Sequence, residues 1–269
     1  QLAGQTALIT GGSKGIGLAV AHRLAAEGVK LHLAARDHAA LDAAALALCS
    51  AHGADVTVHA CDLSVRGAAE TLAAACGAQV DLLINNAGVS AHANFEDVPA
   101  DKLIWYEQLM RVNLWGSIYC THAAMPHLKQ TQGRIVALSS LAGLVGIPGR
   151  TAYCASKFAM TGFFEALRIE LKDSGVSVTV AYPGVVDTQI RRRGLNAMGE
   201  TAGESGLQED HAMTTQECAR LIIYAMVRRK REVVMTFKGK WGRWVKLLAP
   251  NLVDQMALAA VKANFRPRA

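Results

Sequence analysis

Residues 6–29 read TALITGGSKGIGLAVAHRLAAEGV, and this stretch decides the fold. Thr6–Thr10 is a short β-branched and aliphatic run, the pattern of a buried strand. It is followed by Gly11-Gly12-Ser13-Lys14-Gly15-Ile16-Gly17, and from Ile16 to Gly28 apolar residues recur at helical spacing until glycine stops them. Strand, glycine turn and helix in direct succession form a phosphate cradle. The glycines let the backbone turn and approach a pyrophosphate, whose charge rests on the unpaired N–H groups at the helix start. A glycine string alone would be a weak signal, and it is the setting that raises it. The loop lacks the Gly-Lys-Ser/Thr ending of an ATP-type phosphate loop.

Outward from this unit the alternation continues. Strand candidates fall at Leu31–Ala35, Asp55–Cys61, Asp81–Asn85, Arg134–Ser139, Ser177–Tyr182 and Val233–Phe237, separated by alanine-rich, helix-periodic segments such as Leu41–His52. Seven strands with six helical connections predict an α/β fold, a doubly wound parallel sheet with helices on both faces. The 269 residues, 51% apolar and 19% charged with 6 prolines, fit one compact domain spanning 1–269 and exclude a disordered or collagenous chain. Six scattered cysteines form no zinc-clip or redox spacing, which predicts free thiols in a reducing compartment. No signal-peptide pattern and no span of roughly 20 apolar residues is found, so the reading is a cytoplasmic protein.

The net charge of +6 is unevenly placed: residues 1–188 hold 13 Lys and Arg against 15 Asp and Glu, whereas residues 189–269 hold 15 against 7. The cations lack the aromatic-studded strand platform or recognition-helix pattern of a nucleic-acid binder. The second strand ends Ala34-Ala35-Arg36. An NAD site places a carboxylate here for the ribose 2′-hydroxyl and an NADP site a cation for the 2′-phosphate, so Arg36, with Lys14 closing from the glycine loop, predicts NADP(H) in preference to NAD(H). Asp37 is the competing carboxylate if the strand runs further, and a helix-start residue otherwise.

Tyr153 and Lys157 stand four apart at the start of the helical segment AYCASKFAMTGFFEALRIEL and share a face. A nearby ammonium favours the phenolate, which suits Tyr153 to proton transfer. Ser140 closes the fifth strand, where ligands bind in open parallel sheets, and its hydroxyl is placed to donate to a substrate oxygen; Ser139 is the alternative, with strand-end capping as its other role. Cys154 points about 100° away from Tyr153 on the helix and reads as packing. None of the nine histidines has metal-ligand spacing, so no metal is expected.

These motifs, in this order over about residues 5–237, resemble the short-chain dehydrogenase/reductase family, in the branch with Thr-Gly-x-x-x-Gly-x-Gly and Tyr-x-x-x-Lys. The resemblance implies a Rossmann-type fold and the tetrad Asn113, Ser140, Tyr153 and Lys157, with Asn113 in the helix after the fourth strand. It also implies cofactor contacts from Gly11, Ser13, Lys14, Gly15, Ile16 and Gly17, from Arg36, from Asp62 and Leu63 beside adenine, and from Asn86, Ala87 and Gly88. Tyr153 and Lys157 join these, with Pro183, Gly184 and Thr188. The implied reaction is hydride transfer between nicotinamide and a ketone or secondary alcohol, with Ser140 orienting the oxygen, Tyr153 moving its proton, Lys157 holding the nicotinamide ribose and Asn113 anchoring a water chain. Members are usually homodimers or homotetramers.

By the same resemblance the irregular segment at about 189–215 is the substrate lid. Leu195, Met198 and Leu207 in it suit an apolar substrate or ordinary packing, and Arg191–Arg193 either meet an acidic substrate group or form a solvated face. Arg228–Arg231 fall where a helix should end. From about residue 238 to 269 the chain adds an amphipathic extension. Trp241, Trp244, Val245 and Leu248 lie at helical spacing, as do Leu252, Met256 and Ala260 after Pro250. With Lys240, Arg243 and Lys246 between them, they predict packing on the same subunit, on a neighbour or on a membrane surface. The extension resembles the hydroxysteroid and membrane-associated branch, which suggests a bulky apolar carbonyl substrate. A 3-oxoacyl thioester reductase and a non-catalytic NADP sensor are the competing readings.

Overall fold

The computed structural model describes residues 2–77, 79–203 and 212–264. It contains one sheet of seven parallel strands: β1 Thr6–Thr10, β2 Lys30–Ala35, β3 Val56–Ala60, β4 Leu82–Asn85, β5 Arg134–Leu138, β6 Ser177–Tyr182 and β7 Glu232–Val234. Their spatial order is β3-β2-β1-β4-β5-β6-β7, the Rossmann arrangement, with the reversal of strand order between β1 and β4. The helices are α1 Gly15–Ala26, α2 His38–His52, α3 Ala68–Ala75, α4 Ile104–Met110, α5 Gly116–Thr131, α6 Thr151–Glu170, α7 Thr215–Val227, α8 Phe237–Leu248 and α9 Pro250–Asn264.

Every residue of β1 and of β4 is buried, because both faces of the central strands are covered. One face packs Val20 and Leu24 of α1, Leu41 of α2 and Ile222 of α7 against Ile9, Leu31 and Ile84. The other packs Leu72 of α3, Leu128 of α5 and Phe164 of α6 against Leu8, Leu83 and Val180. The edge strand β3 is only partly covered, which is why its sequence VTVHA carries polar residues. On β2 and β3, His32 Nδ1 and His59 Nε2 meet at 2.9 Å with ring centroids 5.2 Å apart. The nitrogens thus face each other head-on, as in an N–H···N bond. Cys76 is within 4.8 Å of both, a grouping that spacing along the chain did not show.

The last strand is a correction: Val233–Phe237 was expected, and the strand is Glu232–Val234. Thr236 accepts a hydrogen bond from the Gly239 N–H and so caps α8, which makes Phe237 its first helical residue. Asn113 lies, as expected, in the helical run after β4. It sits in a π-helical turn, Arg111–Trp115, that joins α4 to α5, and such turns recur at functional sites.

Candidate active site

A cleft of about 390 Å³ lies along the carboxyl ends of the central strands, where the switch in strand order leaves room between loops. Of the residues expected in the site, Gly11, Ser13, Lys14, Gly15, Ile16, Arg36, Asn86, Ala87, Gly88, Ser140, Tyr153, Lys157, Pro183, Gly184 and Thr188 line it. Ser139, Arg150, Arg191 and Arg193 line it as well. Gly17, Asp62, Leu63 and Asn113 are not among its lining residues.

The glycine loop is shaped by close approach. Gly11 and Gly15 have φ of +65° and +57°. A Cβ on Gly17 would lie 2.3 Å from the Gly11 oxygen and 2.5 Å from Asn86 Nδ2. Asn86 Nδ2 donates to the Thr10 and Gly11 carbonyls at 2.9 and 3.0 Å. In return Thr10 Oγ1 accepts from the N–H groups of Asn86 and Ala87, each at 3.0 Å. The Asn86-Ala87-Gly88 turn therefore braces the first loop across the switch point. Thr188 reaches the same loop from β6, its Cγ2 lying 3.4 Å from where a Gly15 Cβ would stand.

At the end of β2, Asp37 caps α2, its Oδ1 accepting from the Ala40 N–H at 3.0 Å, while its Oδ2 pairs with Lys14 Nζ at 2.9 Å. The hydrogen bond from Lys14, then that from Ala40, hold its carboxyl below the usual carboxylate range, and the charge of Arg193 adds to this. Lys14, Arg36 and Arg193 thus border one corner of the cleft; Arg191 and Arg193 line it, while Arg192 and Arg193 are also exposed to solvent. Asp62 borders a separate depression beside His59 and accepts from the Ser64 N–H at 2.9 Å. Leu63 is buried against Gly116, whose Cβ would come within 3.2 Å of it.

Lys157 is buried, and Nζ donates to the Leu138 carbonyl at 2.7 Å while standing 5.8 Å from the Tyr153 ring centroid. Burial pulls its pKa down to about 8. Below that value both folded and unfolded chains carry the ammonium, and the folded state bears the whole cost of burying it. Between about 8 and the unfolded value near 10.4 the folded protein has lost the proton and the unfolded chain has not, so stability gains with rising pH. In urea denaturation of the cofactor-free protein, the stability of the wild type relative to Lys157→Met is expected to improve by up to about 3 kcal/mol between pH 7 and 10.5. A difference flat with pH would contradict this.

The two serines separate cleanly. Ser139 Oγ is buried, bonded to the Lys157 carbonyl at 3.1 Å and to Thr161 Oγ1 at 3.1 Å. Ser140 Oγ accepts from the Ala142 N–H at 3.2 Å, which leaves its own proton to donate into the cleft. Asn113 is fully buried: Oδ1 accepts from the Val89 N–H at 2.7 Å, and Nδ2 donates to the Val89 carbonyl and to Ser156 Oγ at 3.0 and 2.9 Å. It clamps the loop after β4 to α6. Burial pushes the Cys154 thiol up, consistent with packing.

Sequence reading passed over Arg150. Its guanidinium lies 4.5 Å from the Tyr153 ring centroid and bonds Ser90 Oγ and the Ala91 carbonyl, so it fixes one face of the tyrosine. No motif marks it, although its place three residues before Tyr153 sets it on the adjoining turn. In the segment after β6, Gln189, Ile190, Arg191 and Arg193 face the cleft. Leu195 pairs with Ala91, and the Ala197 carbonyl accepts from Trp105 Nε1 at 3.3 Å, which ties this segment over the loop after β4. Leu207 lies outside the described residues.

A glycine-rich turn leading into a helix and a tyrosine beside a buried amine, in one cleft at the strand-order switch, fit the class of dinucleotide-dependent oxidoreductases. Comparison with known proteins makes it particular. The family model described as short chain dehydrogenase matches residues 5–199. An 11-beta-hydroxysteroid dehydrogenase-like protein, 4A, of Arabidopsis thaliana is 35% identical over 260 residues, covering 93% of this chain and 82% of the relative. Dehydrogenase/reductase SDR family member 7B of Rattus norvegicus is 32% identical over 255 residues, 91% of this chain and 78% of the relative. Among solved structures, a short chain dehydrogenase/reductase from Burkholderia phymatum in complex with NAD superposes with a TM-score of 0.81 at 26% identity, covering 93% and 95% of the two chains. An alcohol dehydrogenase from Thermococcus sibiricus complexed with 5-hydroxy-NADP gives 0.73 at 25% identity, covering 85% and 94%. The chain belongs to the short-chain dehydrogenase family and is an NAD(P)-dependent oxidoreductase acting on CH–OH/C=O groups.

Proposed function

We propose that the enzyme uses NADP(H) to interconvert a ketone and a secondary alcohol on a bulky, apolar substrate. The observation that carries the cofactor assignment is the corner of the cleft bordered by Lys14, Arg36 and Arg193, where the competing carboxylate, Asp37, already caps α2 and pairs with Lys14. The residues suit the dinucleotide: Gly11, Ser13, Gly15 and Ile16 line the cleft with backbone where side chains would otherwise stand, and α1 begins at Gly15 without a side-chain cap on its first N–H groups, which suits a diphosphate there. When bound, NADPH supplies the hydride. Arg36→Asp is expected to raise the KM for NADPH by roughly tenfold or more and to improve use of NADH, as two charges change at one phosphate contact. An unchanged NADPH KM would sink the assignment.

On the protein side, Ser140 orients the substrate oxygen with its free hydroxyl proton, and Tyr153 gives or takes the proton at that oxygen. Lys157, whose amine is held by Leu138, stands beside the tyrosine and favours the phenolate when protonated. Asn113 positions the loop after β4 that forms the adjoining wall. The substrate assignment rests on relatives named for hydroxysteroids and on Val89, Val186 and Ile190 in the cleft wall. The segment at about 189–215, of which residues 204–211 lie outside the described residues, acts as the lid over it. A panel of bulky ketones and acyl thioesters with NADPH tests the class: turnover confined to thioesters would replace the ketone reading.

A further inference from the structure

Helix α8 is packed inside out. At about 100° per residue, Phe237, Trp241, Trp244 and Leu248 fall in a stripe roughly 60° wide. This apolar stripe faces solvent: the four residues are 75%, 59%, 58% and 90% exposed. The face turned toward the domain is the small and cationic one. Gly239 approaches so closely that a Cβ would lie 2.3 Å from Leu141 Cδ2. Arg243 pairs with Glu232, and Lys246 Nζ donates to the Leu144 carbonyl at 3.1 Å. Helix α9, packed against α8, leaves Leu252, Met256 and Leu258 about half exposed. Among the described residues nothing covers this apolar stripe, and an exposed contiguous apolar face of this kind marks a contact site.

We infer that the exposed face of α8 rests on a bilayer surface rich in anionic headgroups. Exposed Lys238 and Lys240 lie on either side of the stripe, at about 100° and −60° from Phe237, where their ammonium groups would reach phosphates while the tryptophans enter the interface. A second copy of the chain fits less well. The α8 sequence FKGKWGRWVKLL contains no acidic residue, so a two-fold pairing of this face would set its lysines against one another. The helix also leans on Leu141 and Leu144, directly after Ser140, so a docked α8 sets the substrate side of the cleft close to the lipid. None of this depends on which carbonyl is reduced.

The test is flotation of the full chain with vesicles of phosphatidylcholine, with and without 30% phosphatidylglycerol, beside light scattering of the protein alone. The wild type is expected to float with the anionic vesicles and to dissociate at high salt. Trp241→Ser/Trp244→Ser and Lys238→Glu/Lys240→Glu should each bind roughly tenfold less or weaker still, with circular dichroism and NADPH oxidation unchanged. Absence of flotation by the wild type, or flotation of either variant equal to that of the wild type, overturns the inference. So does a wild-type oligomer that the tryptophan variant breaks while no form binds vesicles, since the face would then belong to a second copy.

Discussion

Gly17→Ala is expected to lower NADPH affinity by roughly 100-fold, about 3 kcal/mol, and to reduce stability by about 1–3 kcal/mol. The added methyl would stand 2.3 Å from the Gly11 oxygen and 2.5 Å from Asn86 Nδ2, and neither neighbour can move freely. The Gly11 carbonyl belongs to the turn proposed to hold the diphosphate, and Asn86 is bonded to both Thr10 and Gly11. Relief of the clash must therefore reshape the cradle. Gly162→Ala in α6 is the matched control, because a Cβ there meets nothing within 4 Å and alanine favours the helix. Fluorescence titration with NADPH and urea denaturation read both effects. Wild-type affinity in Gly17→Ala would show that the loop holds something other than a diphosphate.

The second large effect falls on chemistry. Tyr153→Phe removes one oxygen and keeps the ring that Arg150 covers, so the fold and cofactor affinity should be preserved. The kcat for ketone reduction is expected to fall by about 10²–10⁴-fold, the range lost with a positioned proton donor, while the Kd for NADPH stays within about twofold. Loss of NADPH binding in parallel would instead make Tyr153 a structural residue.

Much of this architecture was legible because the central strands leave little choice. A buried parallel strand must be apolar along its whole length, and a diphosphate cradle must be glycine-rich, so Thr6–Gly17 announces both. Asp37 behaved as its helix-start position suggested. Where the reading failed, short-range patterns competed with context. Val233–Phe237 has strand composition throughout, yet Thr236 is a helix cap and ends the strand early. Asn113 was placed in the right helical run, but the π-turn that holds it there inserts one residue into a helix period that composition cannot reveal. Arg150 carries no motif, because what gives it a role is the chain folding back to Ser90 and Ala91, about 60 residues away. For α8, periodicity showed that a stripe exists, but the direction it faces is set by Leu141, Leu144 and Glu232, all from elsewhere in the fold.

The central claim is that this cleft moves a hydride from NADPH to a carbonyl carbon, with Tyr153 supplying the proton. It is tested most directly by turnover of a bulky ketone with [4-²H]NADPH, in wild type and Tyr153→Phe, followed by mass analysis of the alcohol. The account predicts that reduction with one 4-deuterated epimer gives wild-type alcohol one mass unit heavier, with the label at the carbinol carbon, and that Tyr153→Phe forms almost none. NADPH consumed without label in the alcohol from either epimer, or labelled alcohol formed at an undiminished rate by Tyr153→Phe, would contradict it.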